Sequence, residues 1–220
     1  MQQETAPAGL KQRSEIRDGM VIYWDVPITM DDGLVLRADV FRPIADGKYP
    51  VILSYGPYAK GLAFQDGYPS AWERMVTKHP DVAAGSSNLY QNWEVVDPEK
   101  WVPHEYVCVR VDSRGTGCSP GFIDHFSPRE TKDFHDCIEW AGVQPWSSGK
   151  VGLNGISYYG INHVVICINR IGVFELMCYN NMFACKLLFK QCNVLLNNFF
   201  DIEITGHIVN LFRLHLRPVQ

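Results

Sequence analysis

The sequence predicts an α/β domain built around a parallel sheet, and three observations carry that prediction. Tyr106–Val111, YVCVRV, is a six-residue run rich in apolar and β-branched side chains, as a strand buried on both faces requires. Ser127-Pro128-Arg129-Glu130 then reads as a helix start. Ser127 is the N-cap, Pro128 takes the first helical position, and Glu130 stands three after the cap to close a capping box. Lys150–Asn154 is a further short strand, leading to a turn and a second helix that opens after Ser157. Strand, helix, strand, turn, helix is the alternation that yields parallel neighbours joined by right-handed crossovers.

The other elements are read in chain order. Residues 1–20 form a polar N-terminal extension without the apolar core of a secretory leader. Val21–Pro27 and Leu34–Phe41 are strands flanking Met30-Asp31-Asp32-Gly33, where Asp-Gly marks a hairpin turn. Pro50–Tyr55, PVILSY, is a short β-rich run, and GPYAK turns the chain after it. Residues 61–100 read as a long loop-rich insertion with weak helical pieces such as Ala71–Thr77. In the helix after Ser127, Phe134, Cys137, Ile138 and Ala141 recur at helical spacing and share one face.

Bulk properties narrow the function classes. A chain of 220 residues with 46% hydrophobic content has room for one domain with a real core. A net charge of -4 supplies no field favouring nucleic acid or an anionic membrane. No run approaches the roughly 18 apolar residues of a membrane span. Seven cysteines, an odd number with no CxxC pair, argue against a disulfide framework and against a zinc site. Reduced thiols make the cytoplasm the expected compartment. Cys178, Cys185 and Cys192 recur every seven residues and would share one helical stripe, a matter of core packing or chance.

Composition changes near residue 162. All six tryptophans precede it, and the only prolines and glycines beyond it are Pro218, Gly172 and Gly206. The expected organisation is therefore an extension over 1–20, a partial α/β unit over 21–162, and a divergent tail over 163–220. The tail is either a buried helical region or sequence never selected to pack. Its smeared apolar pattern and missing caps favour the second.

The turn GISYYG, Gly155 to Gly160, is where chemistry enters. A serine hydroxyl is a poor nucleophile at neutral pH. It must be presented bare, next to a base and beside donors for a developing oxyanion. A sharp strand-to-helix turn presents it, and small neighbours such as Gly155, two before Ser157, permit the strain. The usual pentapeptide has its second glycine two after the serine. Here Tyr159 holds that place and the glycine comes at 160, so the pattern is G-x-S-x-x-G. From the residues alone, a serine in an ordinary β-α loop remains the competing reading.

Four segments, VPITMDDGLVLRADVFRP, PVILSYGPYAK, VRVDSRGTGCSPG and DFHDCIEWAGVQPWSSGKVGLNGISYYG, together resemble the N-terminal half of the cocaine-esterase-type and Xaa-Pro dipeptidyl-peptidase-like (CocE/NonD) hydrolases. They cover about two thirds of the chain in that family's order. The resemblance implies a truncated α/β-hydrolase fold with an N-terminal hairpin, parallel strands and a nucleophile elbow, ending in an irregular or helical tail. It implies serine-dependent hydrolysis of an ester or amide, including Xaa-Pro peptides, through an acyl-enzyme. Ser157 matches the family nucleophile. The Tyr158 backbone N–H and the Tyr58 hydroxyl of the P-Y-x-K loop match its oxyanion donors. No cofactor or metal is implied, and the partner is a small ester or a short peptide.

Other candidates are weaker. Asp112 and Arg114 are expected to pair as a structural ion pair at a strand end. Gly115-x-Gly117 fails as a dinucleotide fingerprint because Pro120 holds the third glycine's place. His79, His104, His125 and His135 precede the serine, against the Ser, acid, His order of this fold. Asp201 and His207 come in order but lie only six apart, where an acid and base on separate strand-end loops need more chain between them. His215 is no better placed. The alternative function is therefore a truncated or mis-spliced product without turnover.

Overall fold

The structure, a computed structural model, describes residues 12–166, 176–179 and 182–185. An antiparallel meander comes first: β1 (Arg13–Arg17), β2 (Met20–Thr29) and β3 (Val35–Pro43). The sequence places no element before residue 21, because β1 is polar apart from Ile16, itself 69% exposed. Pairing with β2 makes it a strand, from Arg13 opposite Trp24 to Arg17 opposite Met20. The local signal for this hairpin is Asp18-Gly19, where both residues have positive φ (49° and 76°), as a tight primed turn requires. The second turn closes as expected around Gly33 (φ 83°), whose N–H donates to the Met30 carbonyl at 3.0 Å.

β4 (Tyr49–Gly56) leads into the insertion, which holds α1 (Phe64–Gly67), α2 (Pro69–Lys78) and α3 (Pro98–Trp101). Then come β5 (Val107–Asp112), α4 (Pro128–Gly142), β6 (Ser147–Leu153) and α5 (Tyr158–Ile166). The sheet order is β1-β2-β3-β5-β4-β6. β4 runs parallel to β5 and to β6, while β5 pairs antiparallel with β3. The sheet is therefore mixed rather than wholly parallel, with its parallel part confined to the three strands after the meander.

Both faces of the sheet are covered. On one, Leu36, Val40, Leu53, Tyr55 and Val109 pack under α4, which contributes the expected stripe of Phe134, Cys137, Ile138 and Ala141, all buried. Tyr55 stacks on Phe134 with ring centroids 4.8 Å apart. On the other, Met20, Ile22, Phe41, Ile52 and Cys108 lie beneath Tyr90, Val96 and Val102. The segment 61–100 is thus more than a loop-rich insertion: it supplies Tyr90 and Val96 to the second cover. Buried Arg110 binds it to the sheet by donating to the carbonyls of Tyr90 and of Val96, the latter at 2.8 Å.

α4 starts where its cap predicts. The Ser127 hydroxyl oxygen accepts the Glu130 N–H at 3.1 Å. The reciprocal half of the box is displaced by one residue, since the Glu130 carboxylate takes the Phe126 N–H at 2.6 Å instead of the N-cap's own. Asp112 and Arg114, expected to pair, are not partners of each other. Arg114 forks onto Asp133 of α4 (Nε at 2.7 Å, Nη2 at 3.1 Å) and reaches Asp32 of the β2–β3 turn at 2.9 Å. Asp112 accepts two backbone N–H groups, from Lys60 at 2.7 Å and Cys118 at 2.8 Å.

Past α5 the described residues form an antiparallel hairpin of β7 (Leu176–Tyr179) and β8 (Met182–Cys185). Cys178 and Cys185 therefore stand on two paired strands and not on one helical stripe. Cys192, Asp201, His207 and His215 lie outside the described residues. No described helix is long and apolar enough to cross a membrane.

Candidate active site

Ser157 lies in the turn between β6 and α5, and its position is built from the neighbouring strand. Beyond Leu153, the Asn154 N–H donates to the Leu53 carbonyl at 3.1 Å, and the Ser54 hydroxyl donates to the Asn154 carbonyl at 2.7 Å. These bonds carry the end of β6 along β4 into the turn. Ser157 then adopts φ 55°, a left-handed conformation that costs a non-glycine residue about 1 kcal/mol or more. Its carbonyl accepts the Ile161 N–H at 2.9 Å, closing the first turn of α5. The residue is exposed, and its hydroxyl makes no hydrogen bond among the described residues.

The turn also explains the shifted glycine. Tyr159, in the place of the pentapeptide's second glycine, is buried. A Cβ on Gly155 would sit 2.0 Å from the Tyr159 Cβ, and one on Gly56 would sit 2.5 Å from its ring. Two glycines facing one tyrosine do the work that small residues on both sides of the serine do in the commoner pattern.

Tyr58 sits on the loop after β4, with its ring centroid 5.5 Å from that of Tyr159 and 6.3 Å from that of Tyr158. Burial raises the Tyr58 phenol above its ordinary range, helped by the charge of Glu94, so the O–H stays a donor through neutral pH. The loop is pinned by Lys60. The Lys60 N–H binds Asp112, and its ammonium reaches Asp25 at 2.6 Å and Asp39 at 2.8 Å. Burial opposes the charge, but Asp39 and Asp25 outweigh it and hold Lys60 above its ordinary pKa. The Asn92 amide adds donors to the carbonyls of Ala59 (3.4 Å) and Lys60 (2.6 Å), with Ala59 itself at φ 60°. Two residues further on, Glu94 (φ 60°) has its carboxyl pushed up to about 7 by burial.

Tyr158 comes directly after the serine. Its hydroxyl contacts both carboxylate oxygens of Glu130, at 2.7 and 2.9 Å, and His125 Nδ1 at 3.0 Å. Ser157, Tyr58 and Tyr158 are thus brought to one end of the β4–β6 pair. His125 is bonded to Tyr158, and His163 on α5 is fully buried beside Phe134. Neither is hydrogen-bonded to Ser157. No group of His, Cys, Asp or Glu among the described residues is placed to hold a metal. The sequence shows Lys60 only as the last residue of the P-Y-x-K loop, and nothing in it points to Asp25, Asp39 or Asn92, which come from three further segments and share no local pattern. Glu130 was visible only as a helix cap.

The chain is similar to known proteins in both sequence and fold. The model of the X-Pro dipeptidyl-peptidase (S15) family matches residues 32–178. Cocaine esterase of Rhodococcus sp. (strain MB1 Bresler) is 31% identical over 149 residues, covering 67% of this chain and 21% of that protein. A putative Xaa-Pro dipeptidyl-peptidase of Bacillus anthracis is 28% identical over 136 residues, 55% of this chain and 22% of the relative. The chain spans about a fifth of the length of these curated relatives. Among solved structures, a CocE/NonD family hydrolase from Staphylococcus aureus superposes with a TM-score of 0.60 at 30% identity, over 74% of this chain and 29% of that one. With a family match over most of the described residues, and a left-handed serine between β6 and α5, this chain belongs to the X-Pro dipeptidyl-peptidase (S15) family of CocE/NonD-type serine hydrolases.

Proposed function

We propose that this chain performs serine-dependent acyl transfer on small esters or short peptides. The Ser157 hydroxyl oxygen attacks the substrate carbonyl carbon, and the bond to the leaving oxygen or nitrogen breaks as the acyl-enzyme forms. The serine proton passes through a general base to the leaving group, and water then releases the acid. The Tyr58 O–H and the Tyr158 N–H stabilise the oxyanion, a contribution worth on the order of 10²–10³ in rate per donor. The observation that carries this reading is the left-handed, exposed Ser157 between β6 and α5. Strain of this kind is kept where a side chain has to be presented. Stoichiometric labelling of the purified chain by a fluorophosphonate, lost in Ser157→Ala, is the expected result. Labelling that survives Ser157→Ala overturns the assignment.

A second reading, that this chain alone does not turn over, has its own support. No described imidazole is hydrogen-bonded to Ser157. Loss of the base in a serine triad costs about 10⁶ in kcat. Hydrolysis of p-nitrophenyl acetate separates the two readings. Saturable hydrolysis removed by Ser157→Ala favours turnover, and rates equal to those of Ser157→Ala favour the second reading.

A further inference from the structure

Tyr158 presents its backbone N–H at the first position of α5, where a helix leaves that donor without an internal partner. Such a donor is useful only if its direction is held. The Ser157 carbonyl is held by the Ile161 N–H at 2.9 Å, which fixes one side of the Tyr158 peptide. The other side depends on the tyrosine side chain, and that side chain is held tightly. The ring stacks on Phe126 with centroids 4.7 Å apart, and its hydroxyl lies on both oxygens of Glu130. A phenol has one proton. That proton goes to the carboxylate, so the His125 contact at 3.0 Å requires an N–H on Nδ1 pointing at the phenol oxygen. Glu130 is 7% exposed and also accepts the Phe126 N–H at 2.6 Å. A single carboxylate therefore serves both the start of α4 and the residue after the serine.

We propose that Glu130 is a positioning residue for the oxyanion site, holding the Tyr158 side chain and thereby the direction of the Tyr158 N–H beside Ser157. The assignment rests on the hydrolase reading above for its chemical meaning, but its mechanical content is tested separately. Amide hydrogen exchange at Ile161 reports how firmly the first turn of α5 is closed. Removing a charge-assisted hydrogen bond is expected to speed that exchange roughly tenfold or more in Glu130→Ala and in Tyr158→Phe. The double variant should exchange no faster than the faster single one, because both remove the same bond. Loss of helix capping alone moves exchange at Thr131, whose N–H binds the Ser127 carbonyl, and leaves Ile161 unmoved. Should Glu130→Ala not fold, Tyr158→Phe removes the same bond while leaving the cap intact. Unchanged exchange at Ile161 in the folded single variants, or additive effects in the double, overturns the proposal.

Phenylboronic acid, which forms a tetrahedral adduct with a reactive serine, supplies the second arm. Its affinity should be lost in Ser157→Ala and weakened about ten- to hundredfold in Glu130→Ala and Tyr158→Phe. Binding indifferent to Ser157→Ala overturns the hydrolase reading. Ser157-dependent binding that Glu130→Ala leaves unchanged overturns the positioning role.

Discussion

His163 should make this protein acid-sensitive in a way that one substitution removes. Its ring is 0% exposed, 5.8 Å from the ring of Phe134, and neither nitrogen has a hydrogen-bond partner among the described residues. Burial alone drives its pKa down from 6.5 to about 3. A base depressed in the folded state binds its proton more readily when unfolded. Stability is therefore fully present above 6.5 and falls as pH drops from there towards about 3. The slope is about 1.4 kcal/mol per pH unit, or about 2 kcal/mol lost by pH 5. Replacing the imidazole by a leucine of similar bulk, His163→Leu, also removes two unpaired buried nitrogens. The variant should gain about 1–3 kcal/mol at pH 7. Asp39 and Asp112, whose carboxyls burial pushes up, titrate equally in both proteins and cancel in the difference. The assay is urea unfolding of wild type and His163→Leu at pH 7 and pH 5, comparing midpoints at constant m. The stability gap should widen by about 2 kcal/mol at the lower pH. A gap of equal size at both values would refute the reasoning, because the imidazole would then be hydrated or partnered.

Three further outcomes rest on named contacts. Ser157→Gly, which relieves the left-handed serine, should raise stability by about 1 kcal/mol in thermal melts while abolishing fluorophosphonate labelling; a drop in stability would contradict the strain. Gly155→Ala, driving a Cβ to within 2.0 Å of Tyr159, should unfold the turn and cost labelling, whereas Gly61→Ala, with nothing within 4 Å, should leave melting and labelling unchanged. Lys60→Met strands Asp39, 1% exposed, without its cation and should cost about 3–5 kcal/mol, read by calorimetry as a fall of roughly 10 °C or more.

What could be read from the sequence was local. The helix after Ser127 is announced by cap, proline and apolar stripe within fifteen residues, and it forms where those signals put it. The β2–β3 turn and the serine turn are likewise written in consecutive residues. Sequence reasoning fails where the partner is distant. Arg114 and Asp112 are near neighbours in the chain, yet the chain turns after β5 and delivers the guanidinium to Asp133, nineteen residues away. The grip on the Tyr58 loop draws on Asp25, Asp39, Asn92 and Asp112, and none of these carries a pattern that points to Lys60. The covering role of Tyr90 and Val96 is hidden for a related reason. An irregular segment buries a few scattered side chains without any period to reveal them. The helix after Ser157 is legible, but the buried polar ring of His163 that it carries is not.

The strand order has a consequence for the order of assembly on the ribosome. β4 lies between β5 and β6, so a strand complete at Gly56 waits for one partner ending at Asp112 and another ending at Leu153. At about 5–20 residues per second, synthesis leaves β4 without its second neighbour for roughly 5–20 s. Until Asp112 is made, only the N-terminal meander, whose pairings are all short-range, can be in register. The bonds between β4 and Asn154 form only once β6 has been made, and they lead into the serine turn. The nascent chain thus carries the serine turn in final form only after both neighbours of β4 have left the ribosome. An arrested chain ending before Leu153 would expose an unpaired apolar strand edge, the kind of surface that chaperones bind.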